Sequence, residues 1–162
     1  RKLNTTIDLP ESLLAYANFH RQQGNFEHSL LLLQEVLEIT ERCAMPLYQI
    51  EASILKANVL LDKKYRKAHL KKASLPASLN FSQQDHSVQD ALEAYQTAEK
   101  SSEEEWYGLA AAPLALLKAR LAYHQNHFSE VQPALSEAHH AILKLGQAGL
   151  LPEWEQLRVE LV

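Results

Sequence analysis

Segments of this chain recur at fixed distances. "YANFHRQQGNF" from Tyr16, "KANVLLDKK" from Lys56 and "KARLAYHQNHF" from Lys118 each place a small residue, Ala17, Ala57 and Ala119, inside an amphipathic run. A second set aligns as well: "FEHSLLLLQEVLEI", "VQDALEAYQTAEKS" and "FSEVQPALSEAHHAI", from Phe26, Val88 and Phe128. Ala17 to Phe26 and Ala119 to Phe128 are both 9 residues; Phe26 to Ala57 and Val88 to Ala119 are both 31. Only Ala57 to Val88 departs, at 31 where 9 is expected. The spacing predicts a helical-hairpin repeat of period 40, with an insertion of 22 residues, about 64–86, inside the second hairpin. A further step of 31 from Phe128 reaches Val159 in "EWEQLRVELV", the first helix of a partial fourth repeat.

The hairpins have a packing logic. Their second helices place Ser29, Ala91 and Val131 at one equivalent position and Val36, Ala98 and Ala138 at another. Leu33, Tyr95 and Leu135 lie between them, so each helix carries a small–large–small stripe at offsets of four and three. Gly24 and Asn126 mark turns, because both residue types tolerate a left-handed backbone. Pro10 and Pro152 fall near the start of first helices, with Pro113 one position later, where proline is tolerated. Ser102 and Glu105 have the spacing of a capping box, so Glu103, Glu104 and Glu105 read as a helix start. The expected helices are 10–23, 26–42, 46–63, 87–101, 104–125, 128–145 and 152–162. Apolar residues make up 46% of the chain, Gly is rare, and good helix formers dominate, so the chain reads as one all-α domain. Its ends read as those of a fragment of a larger protein.

The pattern resembles the tetratricopeptide repeat (TPR) family, most clearly in "QGNFEHSLLLLQEVLEI" and "VQDALEAYQTAEKS". The period is longer than that family's usual 34 residues, and the large aromatic early in the first helix is missing. The resemblance implies a right-handed α-solenoid of about three TPR-like repeats plus a partial fourth. It also implies a concave surface, lined by the first helices, that binds a peptide or a partner helix. The positions beside each small Ala would face that groove: Leu14, Asn18 and Arg21; Ile54, Asn58 and Leu61; Leu116, Arg120 and Tyr123. Asn18 and Asn58 can donate to and accept from an extended backbone, and Arg120 can hold a carboxylate. The alternative for Leu14, Ile54 and Leu116 is packing between repeats. TPR domains that bind heat-shock chaperone tails share a Lys/Asn/Arg clamp. Here Asn18 matches, but Leu14, Leu55, Pro113 and Leu117 occupy the other positions, which argues against that partner.

The insertion opens with a basic block, "LDKKYRKAHLKKAS", carrying Lys63, Lys64, Arg66, Lys67, Lys71 and Lys72 with no acid among them. Nothing between Leu47 and Ser74 looks like a helix breaker, so the simplest expectation extends the second repeat's first helix through it. The block reads either as a solvated helix end, where cations favour the macrodipole, or as a contact for an acidic partner surface. Net charge is −4, so the remainder of the chain is strongly acidic and argues against nucleic acid. "KKAS" also resembles a basophilic kinase site at Ser74.

No catalytic, metal or cofactor site is expected. His124 and His127 straddle a turn, His139 and His140 are adjacent, and no acid completes either set. Cys43 has only Arg42 beside it, and no phosphate loop, nucleophile elbow or triad is present. One cysteine and no apolar run of about 18 residues point to a reducing compartment, cytoplasm or nucleus, and away from a membrane. The leading expectation is a non-catalytic interaction scaffold within a multisubunit assembly, whose partners are other protein subunits or peptides. The alternatives are an effector-sensing domain of a signalling ATPase or transcription activator, which requires a compact apolar pocket, and nucleic-acid contact through the basic insertion.

Overall fold

The computed structural model describes residues 5–67, 86–104 and 107–162, with the backbone alone for 5–8. All regular structure among the described residues is helical. In order it comprises α1 (Thr5–Gln22), α2 (Phe26–Arg42), α3 (Pro46–Leu60), a short α4 at 63–67, α5 (His86–Glu104), α6 (Ala111–His124), α7 (Phe128–Leu145) and α8 (Leu151–Leu161). Single 3-10 turns, Gly108–Ala110 and Ala148–Leu150, lead into α6 and α8.

Helices adjacent in the chain pack together. α1 meets α2, α3 meets α5 across the insertion, and α6 meets α7. Each pair also touches the helix after it, α2 on α3, α5 on α6 and α7 on α8, and α1–α3, α3–α6 and α6–α8 are in contact too. Three apolar clusters fill these junctions. Ala17 lies with Leu33 and Val36, and α3 covers them with Ala52 and Val59. Ala57 lies with Ala91, Tyr95 and Ala98 under Leu114, Leu117 and Leu121 of α6. Ala119 lies with Val131, Leu135 and Ala138 under Leu157 of α8, with Trp154 and Leu161 partly buried alongside. All nine stripe positions and the three alanines are buried. At close helix approaches a small side chain leaves no void, and each buried Leu contributes about 1.5–3 kcal/mol of hydrophobic stabilisation. Ser29 is the polar member of the stripe; its hydroxyl donates to the Ala17 carbonyl at 2.8 Å, so it is satisfied inside the core.

The turns share a geometry. Gly24 (φ 78°), Ala44 (φ 51°), Asn126 (φ 63°) and Gly146 (φ 67°) are all left-handed. After each, an N–H reaches back five residues to a helix carbonyl: Asn25 to His20, Met45 to Thr40, His127 to Ala122 and Gln147 to Ile142. This closes the helix ends whose last carbonyls lack intrahelical partners. Tyr107 makes the same bond to Ser102. The bonds that end α2, α5 and α7 therefore begin at residues 45, 107 and 147.

Several boundaries differ from the expected ones. α1 begins at Thr5, so Pro10 lies inside it, not near its start; the ring forgoes one backbone bond but is fully buried, which offsets the loss. α3 stops at Leu60 and does not run into the basic block. The Asp62 carboxylate accepts the Lys64 N–H at 2.8 Å and caps the new helical run at 63–67, a competing local bond that ends one helix and starts another. α5 runs on to Glu104, so Ser102 is not an N-cap and Glu103 and Glu104 end a helix; Glu105 lies outside the described residues. Lys100 and Glu104, an i,i+4 pair at 3.8 Å, support this last turn, and the Ser102 hydroxyl bonds forward to the Tyr107 carbonyl.

Candidate functional site

α1, α3 and α6, the first helices of the three helix pairs, carry Asn18, Arg21, Asn58, Arg120 and Tyr123 half-buried beside their packed alanines. On α1, Arg21 Nε donates to Asn18 Oδ1 at 3.3 Å. On α3, Asn58 is half-buried, and its Oδ1 accepts from Arg120 Nη1 of α6 at 3.2 Å. Arg120 Nη2 donates to Glu153 Oε1 of α8 at 3.1 Å, so one guanidinium links three helices. Tyr123, one turn further along α6, meets the rings of His124 and Phe128 edge-on. Ile54 is half-buried against the central cluster. Thus Asn58 and Arg120 are brought together, while Asn18 and Arg21 pair on their own helix.

Three of the nine expected groove residues are corrected. Leu14, Leu61 and Leu116 are buried, each within an apolar cluster, so they pack between helices and do not line an open surface. Each first helix is covered by its partner helix and by the helices of a neighbouring pair, and these three side chains fall under that cover.

The basic block is partly engaged within the chain. Lys63 Nζ lies 2.8 Å from Glu160 Oε2 of α8. Arg66 Nη1 lies 2.6 Å from His124 Nδ1. A guanidinium only donates, so the imidazole is the acceptor in this contact. The Tyr65 ring meets Phe26 edge-on, at the start of α2. The run at 63–67 therefore touches α2, α6 and α8, while Lys64 and Lys67 stay exposed. Lys71, Lys72 and Ser74 lie outside the described residues.

The acids that answer these cations escape sequence reasoning. Glu153 and Glu160 sit seven residues apart, on one face of α8. Their spacing is visible, but nothing in the sequence links Glu160 to a lysine 97 residues away. The Glu160 carboxyl is held below the usual carboxylate range, first by the hydrogen bond from Lys63 and then by Gln156, with the Lys63 and Arg120 charges adding to the effect. Burial raises the Tyr107 hydroxyl, aided by Glu51, whose carboxylate it reaches at 3.3 Å.

Among the described residues, no group of three or more His, Cys, Asp or Glu side chains is arranged to hold a metal, and no helix is long and apolar enough to cross a membrane. His139 stacks on Trp154, and Cys43 is exposed at the end of α2. A surface cleft of about 360 Å³ is lined by Ser102, Glu103, Tyr107, Gly108 and Ala111, none of them an expected site residue. No protein-family model, curated protein or solved structure matches this chain.

Proposed function

We propose that this chain is a non-catalytic binding scaffold. In this reading it is a right-handed α-solenoid segment of TPR-like hairpins within a subunit of a larger assembly, holding an acidic peptide or helix along its first-helix strip. One observation carries the reading: α1, α3 and α6 each carry half-buried amide or guanidinium groups at their flanking positions, and Lys64 and Lys67 of the run at 63–67 are exposed. Amides bind an extended backbone through donor and acceptor together, and guanidinium and ammonium groups select for carboxylates. A repeating scaffold is supported by the recurring five-residue turn bonds at 45, 107 and 147, which keep the stride of 40 with the 22-residue insertion between the first two. It is further supported by each first helix packing on the pair before it.

Two measurements test this. Small-angle scattering is expected to give a radius of gyration well above the roughly 15 Å of a compact globule of this length; a value near that figure overturns the solenoid. Affinity purification compares the wild type with a Lys64→Glu/Lys67→Glu variant and an Asn18→Ala/Asn58→Ala variant. Both are expected to lose a specifically recovered partner, the lysine variant at an unchanged melting temperature and the asparagine variant with a small loss, because Asn58→Ala takes the acceptor from Arg120 Nη1. Full recovery by both removes the proposed binding face.

A further inference from the structure

Arg120 is only half used by the acid that holds it. A guanidinium presents Nε and Nη2 along one edge, which matches the two oxygens of a carboxylate. Glu153 Oε1 takes Nη2 at 3.1 Å, and Asn58 takes Nη1 on the other side. Nε is buried and has no hydrogen-bond partner. A buried donor without an acceptor is destabilising, because its lost hydration is not replaced. The Glu153 side chain is more exposed than that of Arg120, 39% against 21%, so the acid can swing to solvent while the guanidinium stays in place.

The acids around Arg120 come from α8. Arg120 lies between Asn58, which contributes a neutral amide, and α8, whose only described contacts to cations on this face are Glu153 and Glu160. The Arg120 charge also reaches Glu160, and Lys63 pairs with that same acid. Both α8 carboxylates thus sit where an acidic partner would sit.

We propose that Glu153 is an intramolecular placeholder in a carboxylate-binding site centred on Arg120, and that an acidic peptide displaces it by bonding Nε and Nη2 together. Asn58 positions the guanidinium from the far side through Nη1. Rotation of the half-exposed Glu153 side chain is the step that must free Nη2 and uncover the buried Nε. The wild type is therefore a weakened form of its own binding site, and affinity is set by how well an incoming acid outcompetes Glu153. This inference rests on the first-helix strip being a binding face.

The test uses the whole chain with a short fluorescent peptide of alternating Glu and Ala, and a Gln–Ala peptide of the same length as control, followed by anisotropy. Melting temperatures confirm that each variant is folded. Glu153→Gln removes the competing charge and is expected to bind the Glu peptide about two- to fivefold more tightly than wild type, the range of one partly exposed ion pair. Arg120→Lys keeps the charge but loses the two-pronged edge and is expected to bind about tenfold more weakly. The Gln–Ala peptide is expected to bind neither. If Glu153→Gln binds no more tightly while Arg120→Lys still weakens binding, the placeholder is overturned and the binding face stands. If Arg120→Lys leaves the affinity unchanged, the site is not at Arg120. If no variant binds the Glu peptide, the carboxylate reading of the face fails altogether.

Discussion

Ala44 is an L-residue in a conformation that favours glycine, and replacing it should stabilise the protein. Its φ is 51°, close to the 67° of Gly146, which ends α7 in the equivalent turn. Both are succeeded by a backward N–H bond, Met45 to Thr40 and Gln147 to Ile142. The left-handed region costs an L-residue about 1–2 kcal/mol through contact between Cβ and the carbonyl oxygen. Glycine removes that contact but raises the entropy of the unfolded chain by about 0.4–1 kcal/mol. Ala44 is exposed, so its methyl gives up little packing. The net expectation for Ala44→Gly is a gain of about 0.5–1 kcal/mol. In a chain of this size that raises the melting temperature by about 1–4 °C. Gly146→Ala is the reverse experiment: an added Cβ meets no atom within 4 Å, so its cost is backbone strain alone, of similar size and opposite sign. Thermal unfolding tracked by circular dichroism at neutral pH compares the two variants and their combination. A stability loss for Ala44→Gly, beside the expected loss for Gly146→Ala, would refute the shared turn geometry.

Trp154 covers the α6–α7 pair, donating its indole N–H to the Leu135 carbonyl at 2.8 Å, stacking on His139 and lying under Arg158. Trp154→Ala should cost about 2–3 kcal/mol, below the range for a fully buried aromatic, and chemical denaturation will show it as a lower midpoint. Tyr95 is buried and donates to Glu99; burial first, and then that acid, push its hydroxyl well above the ordinary tyrosine range. The folded state thus keeps a proton that the unfolded chain releases near pH 10, so stability falls as pH rises above 10, and Tyr95→Phe should blunt the fall in alkaline melts. Glu160 has the opposite sign: its folded carboxyl is depressed, so its contribution is present above the unfolded value of about 4.5 and is lost as pH falls below it. That contribution is small because the pair is exposed, and added salt should weaken it; acid titration of wild type against Lys63→Ala checks both.

The second helices are the most legible part of the fold. α2 and α7 span the expected 26–42 and 128–145, because an apolar stripe agrees with a residue tolerant of left-handed backbone before each, Gly24 and Asn126. Where local signals are ambiguous, boundaries shift. "SSEE" reads equally as a capping box or as the last turn of a helix, and the i,i+4 partner Lys100 favours the second. Asp62 reads as one more helical residue, although its short acceptor is placed to cap the helical run at 63–67. At the candidate site, periodicity identifies the helix face but not how much of it neighbours cover, so Leu14, Leu61 and Leu116 read as groove positions and lie in the core. Arg120 is legible from its position, but its acid is not, because Glu153 arrives from another helix 33 residues on.

The insertion also sets an order of assembly. Three residues separate α1 from α2 and α6 from α7, whereas twenty-five separate Leu60 from His86. Bringing the ends of that longer connection together is about three doublings of loop length, an entropic penalty of about 2 kcal/mol that the outer pairs do not carry. The outer pairs are therefore expected to form early as local nuclei, and the central pair to close last. In native-state hydrogen exchange the amides of α3 and α5 should open together, at a lower free energy than those of α6 and α7.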